Sequence, residues 1–98
     1  MGHFVTLTDT RQRIEQLLQQ ALAPTQLQVV DESAQHAGHA AVLRNPGAGH
    51  FYVCIASEQF AGKTAVQCHQ MVYRALGELM QQHIHALRID TRLPKANG

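Results

Sequence analysis

The chain has 98 residues, of which 45% are hydrophobic and 15% charged, and its formal net charge is +1. This length accommodates one domain with a single core, and the apolar fraction excludes a disordered chain. No apolar run approaches the roughly 20 residues that cross a bilayer, and the first four residues lack a signal-peptide pattern. We therefore expect a cytoplasmic protein with no membrane contact.

The basic residues are dispersed along the chain. Eight Lys and Arg residues are present, with no cluster longer than a pair. Because nucleic-acid affinity comes mainly from neutralised phosphates, this distribution weighs against strong DNA binding. The seven histidines are the groups whose charge would respond to mild acid or to a metal ion.

The first predicted element is an amphipathic helix that Asp9 caps. Gln12 stands three residues further on, in the position of a capping-box partner. Apolar residues then recur at helical spacing along one face, at Ile14, Leu17, Leu18, Ala21 and Leu22. Pro24 ends the helix because it cannot continue the backbone hydrogen bonds.

Two strands are predicted after this helix. Residues 26–31 alternate between apolar and polar, which indicates a short strand. Residues 32–49 form a long connection rich in Gly, Ala and His, and a loop of this length in a compact domain is usually functional. Residues 50–57 then alternate strongly and predict a central strand with one packed face, formed by Phe51, Val53 and Ile55. A turn over residues 58–63 follows.

A second helix is predicted from near Thr64 to about Gln82. Its helical projection places Cys68 in the core and His69 well inside the apolar arc, which extends to Val66 and Tyr73. We interpret His69 as a core-facing histidine whose ring bonds to a backbone carbonyl.

The two cysteines are interpreted as buried thiols. Cys54 and Cys68 lie too far apart in sequence for a Cys-x-x-Cys motif, and a disulfide is not expected in a reducing compartment.

The last strand is predicted over residues 84–90, with His85, Leu87 and Ile89 sharing one face. The complete order is helix, strand, strand, helix, strand. One antiparallel pair and one crossover helix then give a three-stranded mixed sheet with the helices on one face, an α+β fold. We expect a single domain over residues 1–98, with a core over about 9–91 and a frayed tail over 92–98.

Several motifs follow one another in a fixed order along almost the whole chain. They are Val30-Asp31-Glu32-Ser33, His36-Ala37-Gly38-His39, His50-Phe51, the turn from Ser57 to Lys63, His69-Gln70-Met71-Val72-Tyr73 and Ile84-His85-Ala86-Leu87. In this combination the chain resembles the BolA-like family. The resemblance implies a class II KH-like fold. It also implies a non-enzymatic partner of monothiol glutaredoxins, with which family members share a 2Fe–2S cluster and glutathione.

The resemblance also implies which residues bind the shared cluster. The histidine of the last strand matches His85, and the ligand from the loop after the first strand matches His36, with His39 as the alternative. We therefore expect His85 and His36 to be metal ligands. The isolated chain is expected to hold no cluster, because two histidines cannot bind 2Fe–2S without thiolates from a partner.

The sequence shows no recognisable set of catalytic residues. His36 and His39 have Ala and Gly as neighbours and no adjacent carboxylate base, unlike the His-x-x-His pairs of zinc hydrolases. The chain has no nucleophile–base pair and no carboxylate pair, so we predict no catalytic residues and no small-molecule substrate.

The alternative function is that of a KH-like nucleic-acid-binding regulator of transcription or stress responses. Two features weaken it. The family usually carries Arg-His-Arg at the start of the second helix, where this chain has Cys68, His69 and Gln70. A Gly-x-x-Gly loop clamps the nucleic-acid backbone in KH domains, whereas the turn over residues 60–63 contains only Gly62. Nucleic-acid binding is therefore expected to be weak.

Overall fold

The computed structural model describes residues 7–32 and 49–95, which form a mixed sheet with helices. The elements in chain order are α1 (Leu7–Leu22), β1 (Gln26–Asp31), β2 (Gly49–Ala56), a 3₁₀ turn (Glu58–Phe60), α2 (Ala65–Leu76), α3 (Leu79–Gln82) and β3 (Ile84–Arg92). β2 is the central strand, antiparallel to β1 and parallel to β3. This arrangement confirms the predicted α+β class, the mixed three-stranded sheet and the order of its elements.

One hydrophobic core lies between the sheet and the helices. Phe51, Val53 and Ile55 point to the same face of β2 and are at most 1% exposed. They form a single cluster with apolar side chains of α1 and α2, namely Ile14, Leu18, Leu22, Cys68, Val72 and Leu76. The predicted packed face of β2 is confirmed, and within the described residues α1 and α2 both pack against that face.

α1 begins earlier than the capping pattern predicted. Asp9 and Gln12 lie inside the helix, which already includes Leu7, so neither residue is at the N-cap. An acidic residue is also favoured within the first turn of a helix, because it interacts with the positive end of the helix dipole. The predicted end is correct: Ala23 has a φ of 44° and its N–H donates to the carbonyl of Gln19 at 3.2 Å, directly before Pro24.

α2 is shorter than the predicted helix because the chain changes direction at Gly77. Gly77 has a φ of 55° and a ψ of −131°, a conformation that glycine adopts without strain. α3 then follows as a separate four-residue helix. The predicted start is confirmed, since Thr64 is the N-cap and exchanges two hydrogen bonds with Gln67 in a capping box.

A buried serine connects the end of α1 to the end of β2. The Ser57 hydroxyl donates to the carbonyl of Leu22 at 2.6 Å and accepts from the N–H of Gln59 at 3.1 Å. Ser57 is completely buried, and its bond to Leu22 lies away from competition with solvent.

The cysteines differ in environment. Both are free thiols; Cys68 lies in the core as predicted, whereas Cys54 is half-buried. Cys54 pairs with Gln28 and Asp90 across the sheet, on the face that the helices leave open. The interpretation of two buried thiols is therefore correct for Cys68 and wrong for Cys54.

Within residues 7–32 and 49–95, no helix is long and apolar enough to span a membrane.

Candidate functional site

An irregularity at the start of β3 determines where His85 lies. The parallel register pairs Gly49 with Ile84 and then His50 with Ala86, so β3 advances two residues while β2 advances one. His85 is the additional residue. Such a bulge interrupts the alternation of a strand and redirects the inserted side chain.

The bulge separates His85 from the core-facing side chains of β3. Leu87 and Ile89 are partly buried and pack against the hydrophobic core, whereas His85 is exposed. The prediction that these three residues share one face is therefore wrong. A strand without a bulge would place His85 on the same face as Leu87 and Ile89, and the sequence pattern does not show the additional residue.

The structure places His85 next to His50. The two imidazole ring centroids are 5.0 Å apart, and the ring planes are inclined by 48°. His50 is half-buried and follows the buried Gly49 at the start of β2. Sequence reasoning used His50 only as part of a family motif and did not identify it as a site residue. The pair could have been predicted from the parallel arrangement of β2 and β3, because neighbouring parallel strands begin at the same end of a sheet and histidines at their first residues then lie close together.

The backbone around this pair is fixed by hydrogen bonds. The N–H of Gly49 donates to the carbonyl of His83 at 3.1 Å, and the N–H of Glu32 donates to the carbonyl of His50 at 2.7 Å. Glu32 and Gly49, the described residues on either side of positions 33–48, thus both lie next to the histidine pair. His36 and His39, the predicted loop ligands, lie outside the described residues.

The described residues contain no complete metal site at this position. No group of three or more His, Cys, Asp or Glu side chains in residues 7–32 and 49–95 could enclose a metal. The separation of the His50 and His85 ring centroids, 5.0 Å, is close to the value of about 5 Å that follows for two imidazoles on one tetrahedral ion with metal–nitrogen distances of about 2.0–2.1 Å.

His69 is placed differently from its predicted position. It is half-buried and does not belong to the core cluster, and its helical neighbours Val66 and Tyr73 are 66% and 42% exposed. The apolar arc of α2 is narrower than predicted, because Cys68 and Val72 already fill the space against the sheet. The interpretation of His69 as a core-facing histidine is therefore wrong.

The face of the sheet opposite the core, which includes Tyr52, Arg88 and Asp90, carries paired charges. The Arg88 guanidinium bonds twice to the Glu32 carboxylate, at 3.1 and 2.7 Å, and lies 4.6 Å from the centre of the Tyr52 ring. Hydrogen bonding to Glu32 raises the pKa of Arg88. This guanidinium therefore has its donors directed at a protein carboxylate.

A second ion pair lies beside the first on this face. Arg92 donates to Asp90 at 2.7 Å, and this bond lowers the pKa of Asp90. The Tyr52 hydroxyl donates to the same carboxylate at 3.4 Å, while burial and then hydrogen bonding with Cys54 raise the pKa of Tyr52. Among the residues that the structure describes, Arg88 and Arg92 of this face are each paired with a carboxylate, so these two side chains do not form a basic surface.

These features define a small α+β module in which an exposed and a half-buried histidine lie side by side where β2 and β3 begin. The sequence profile described as BolA-like protein matches residues 18–96, and the chain belongs to this family.

Relatives and solved structures agree with this assignment. The chain is 39% identical over 96 residues to SufE-like protein 1, chloroplastic/mitochondrial, of Arabidopsis thaliana; the match covers 95% of the chain but only 26% of that protein. It is 38% identical over 84 residues to the DNA-binding transcriptional regulator BolA of Escherichia coli, covering 83% of the chain and 72% of the relative. The structure of BolA1 from Arabidopsis thaliana superposes with a TM-score of 0.73 at 37% identity, over 86% of this chain and 90% of that one.

Proposed function

We propose that this protein is a non-enzymatic partner of monothiol glutaredoxins and shares a histidine-ligated 2Fe–2S cluster with them, in iron–sulfur trafficking or iron regulation. The observation that carries the proposal is the exposed position of His85 directly beside a second imidazole, close to Glu32 and Gly49, between which the sequence contains His36 and His39. Membership of the BolA-like family supports it.

The proposed ligands from this chain are His85 and a loop histidine, His36 or His39. The bulge turns His85 toward solvent, so a partner could reach it without any rearrangement of the core. The fixed strands would hold the imidazole in position before the partner binds, which lowers the entropy lost on assembly. His85 is therefore expected to contribute most to cluster retention.

Imidazole ligands would change the reduction potential of the shared cluster and the pH dependence of its retention. Neutral nitrogen ligands that replace thiolates lower the negative charge of an iron–sulfur cluster and raise its reduction potential. A ligating imidazole must also be neutral, so cluster retention would depend on pH. The remaining ligands would be the thiolates of the glutaredoxin and glutathione.

The experiment is reconstitution with a monothiol glutaredoxin, iron, sulfide and glutathione, followed by visible absorption and circular dichroism. The wild type should give a mixed-ligand spectrum that His85→Ala abolishes. His36→Ala should weaken it less, because His39 can substitute, and the His36/His39 double variant should weaken it more. His69→Ala is the matched control and should leave it unchanged. An unchanged spectrum in His85→Ala, with glutaredoxin binding retained, would contradict the proposal.

The second candidate is a KH-like nucleic-acid-binding regulator. One relative is named a DNA-binding transcriptional regulator, and a cavity of about 250 Å³ between the turn at residues 60–63, α2 and the end of β3 is lined in part by Lys63 and Arg92. The pairing of Arg92 with Asp90 argues against it. We expect weak, strongly salt-dependent binding without sequence preference. Tight, sequence-selective binding at about 150 mM salt would instead favour this function.

A further inference from the structure

We propose that His50 and His85 bind a single divalent transition-metal ion of the Zn²⁺ class as a bidentate pair, in the isolated protein and without any partner. The proposal shares His85 with the proposed function but requires neither a glutaredoxin nor a cluster. It adds His50, a residue of the central strand, to the metal-binding surface.

The spacing of the rings is the first argument. Their centroids are 5.0 Å apart, and one tetrahedral ion with Zn–N distances of about 2.0–2.1 Å would hold two imidazole centroids at about the same separation. Chelation would require the two side chains to direct one nitrogen of each ring at a common ion. Imidazole is a preferred ligand of Zn²⁺, Cu²⁺ and Ni²⁺, and it does not select Mg²⁺ or Ca²⁺.

Preorganisation is the second argument. His50 and His85 belong to neighbouring strands of one sheet, in a register fixed on both sides of the bulge. The backbone carbonyl of His50 also accepts a hydrogen bond from Glu32 at 2.7 Å. Because the backbone on both strands is already ordered, binding would not require the strands to rearrange.

Accessibility is the third argument. His85 is exposed and His50 is half-buried, so an ion could enter without opening the core. Since no third ligand of suitable type joins them in the described part of the chain, solvent molecules would complete the coordination sphere. The ion would therefore exchange readily, unlike a structural zinc with four protein ligands.

The test is a titration of the ¹⁵N-labelled full chain with ZnCl₂, observed through the histidine ring resonances. We expect the rings of His50 and His85 to shift together and to saturate at one equivalent. His50→Ala and His85→Ala should each weaken binding by at least about tenfold, because one-point attachment replaces chelation. His69→Ala and the His36/His39 double variant should bind as the wild type does. Circular dichroism melts would show that each variant is folded.

Two results would overturn the inference: zinc shifts that leave either ring unchanged, or equal zinc binding by wild type and His85→Ala. Loss of zinc binding in the His36/His39 variant alone would also overturn it. These outcomes are separate from those of the proposed function. Failure of cluster assembly with zinc bound at the pair would remove the proposed function and leave this site. Cluster assembly that depends on His85 without zinc binding at His50 would do the reverse.

Discussion

Replacement of Ser57 by alanine should destabilise the fold more than its small size suggests. The hydroxyl is completely buried and makes two hydrogen bonds, to the carbonyl of Leu22 at 2.6 Å and from the N–H of Gln59 at 3.1 Å. Loss of a partner for a buried carbonyl costs about 1–3 kcal/mol, and loss of a serine N-cap costs about 1 kcal/mol. Because the two effects overlap, we expect a total of about 2–3 kcal/mol.

The assay is urea unfolding of Ser57→Ala beside Thr64→Ala, with a shared m-value as the check for two-state behaviour. Thr64 also caps a helix with its hydroxyl, but it is exposed, so its removal should cost only about 1 kcal/mol. In melting temperature the expected losses are roughly 10–20 °C and roughly 4–8 °C, respectively. Equal losses for the two variants would refute the reasoning, since the buried bond to Leu22 would then contribute nothing beyond an ordinary cap.

Three further changes test other parts of the structure. Gly77→Ala should cost about 1–3 kcal/mol in urea unfolding because of its backbone conformation alone, since the nearest heavy atom to an added Cβ is 3.9 Å away; no loss would contradict the break in the helix. His69→Ala should change stability by no more than about 0.5 kcal/mol, and a loss above about 2 kcal/mol would instead indicate a buried ring with a lost hydrogen bond. Asp90→Asn should be less stable than the wild type at pH 7, because the bond from Arg92 lowers the pKa of Asp90 in the folded state. That stabilisation is present above the ordinary aspartate pKa and is lost as the pH falls through the lower folded value, so the difference in unfolding free energy should close on acidification; a constant difference would contradict it.

The sheet could be predicted from the sequence because alternation is a direct consequence of strand geometry. Phe51, Val53 and Ile55 alternate without interruption, and the structure buries all three. The short strand before them also has the predicted bounds, from Gln26 to Asp31. Parallel pairing of the last two strands followed from the helix that separates them, since a crossover is needed to bring the chain back to the same edge.

The histidine pair could not be predicted in the same way. Its formation depends on one inserted residue in the register of β3, and a bulge leaves no periodic signal in the sequence. The break at Gly77 was missed for a related reason, because the apolar positions of α3 continue the phase of α2 closely enough to suggest a single helix. The roles of His36 and His39 remain predictions, since both residues lie outside the described ranges.

The order in which the strands pair has a consequence for how the protein is made. In sequence, β2 begins 18 residues after the end of β1, and two helices lie between β2 and β3. Neither pair of strands is therefore joined by a tight turn. Such non-local pairing slows folding, because the entropy of loop closure is lost before the contacts form. β3, which carries His85, is synthesised after β2, which carries His50. The two imidazoles therefore come together only when β2 and β3 have paired, so the zinc binding proposed above would require the folded chain.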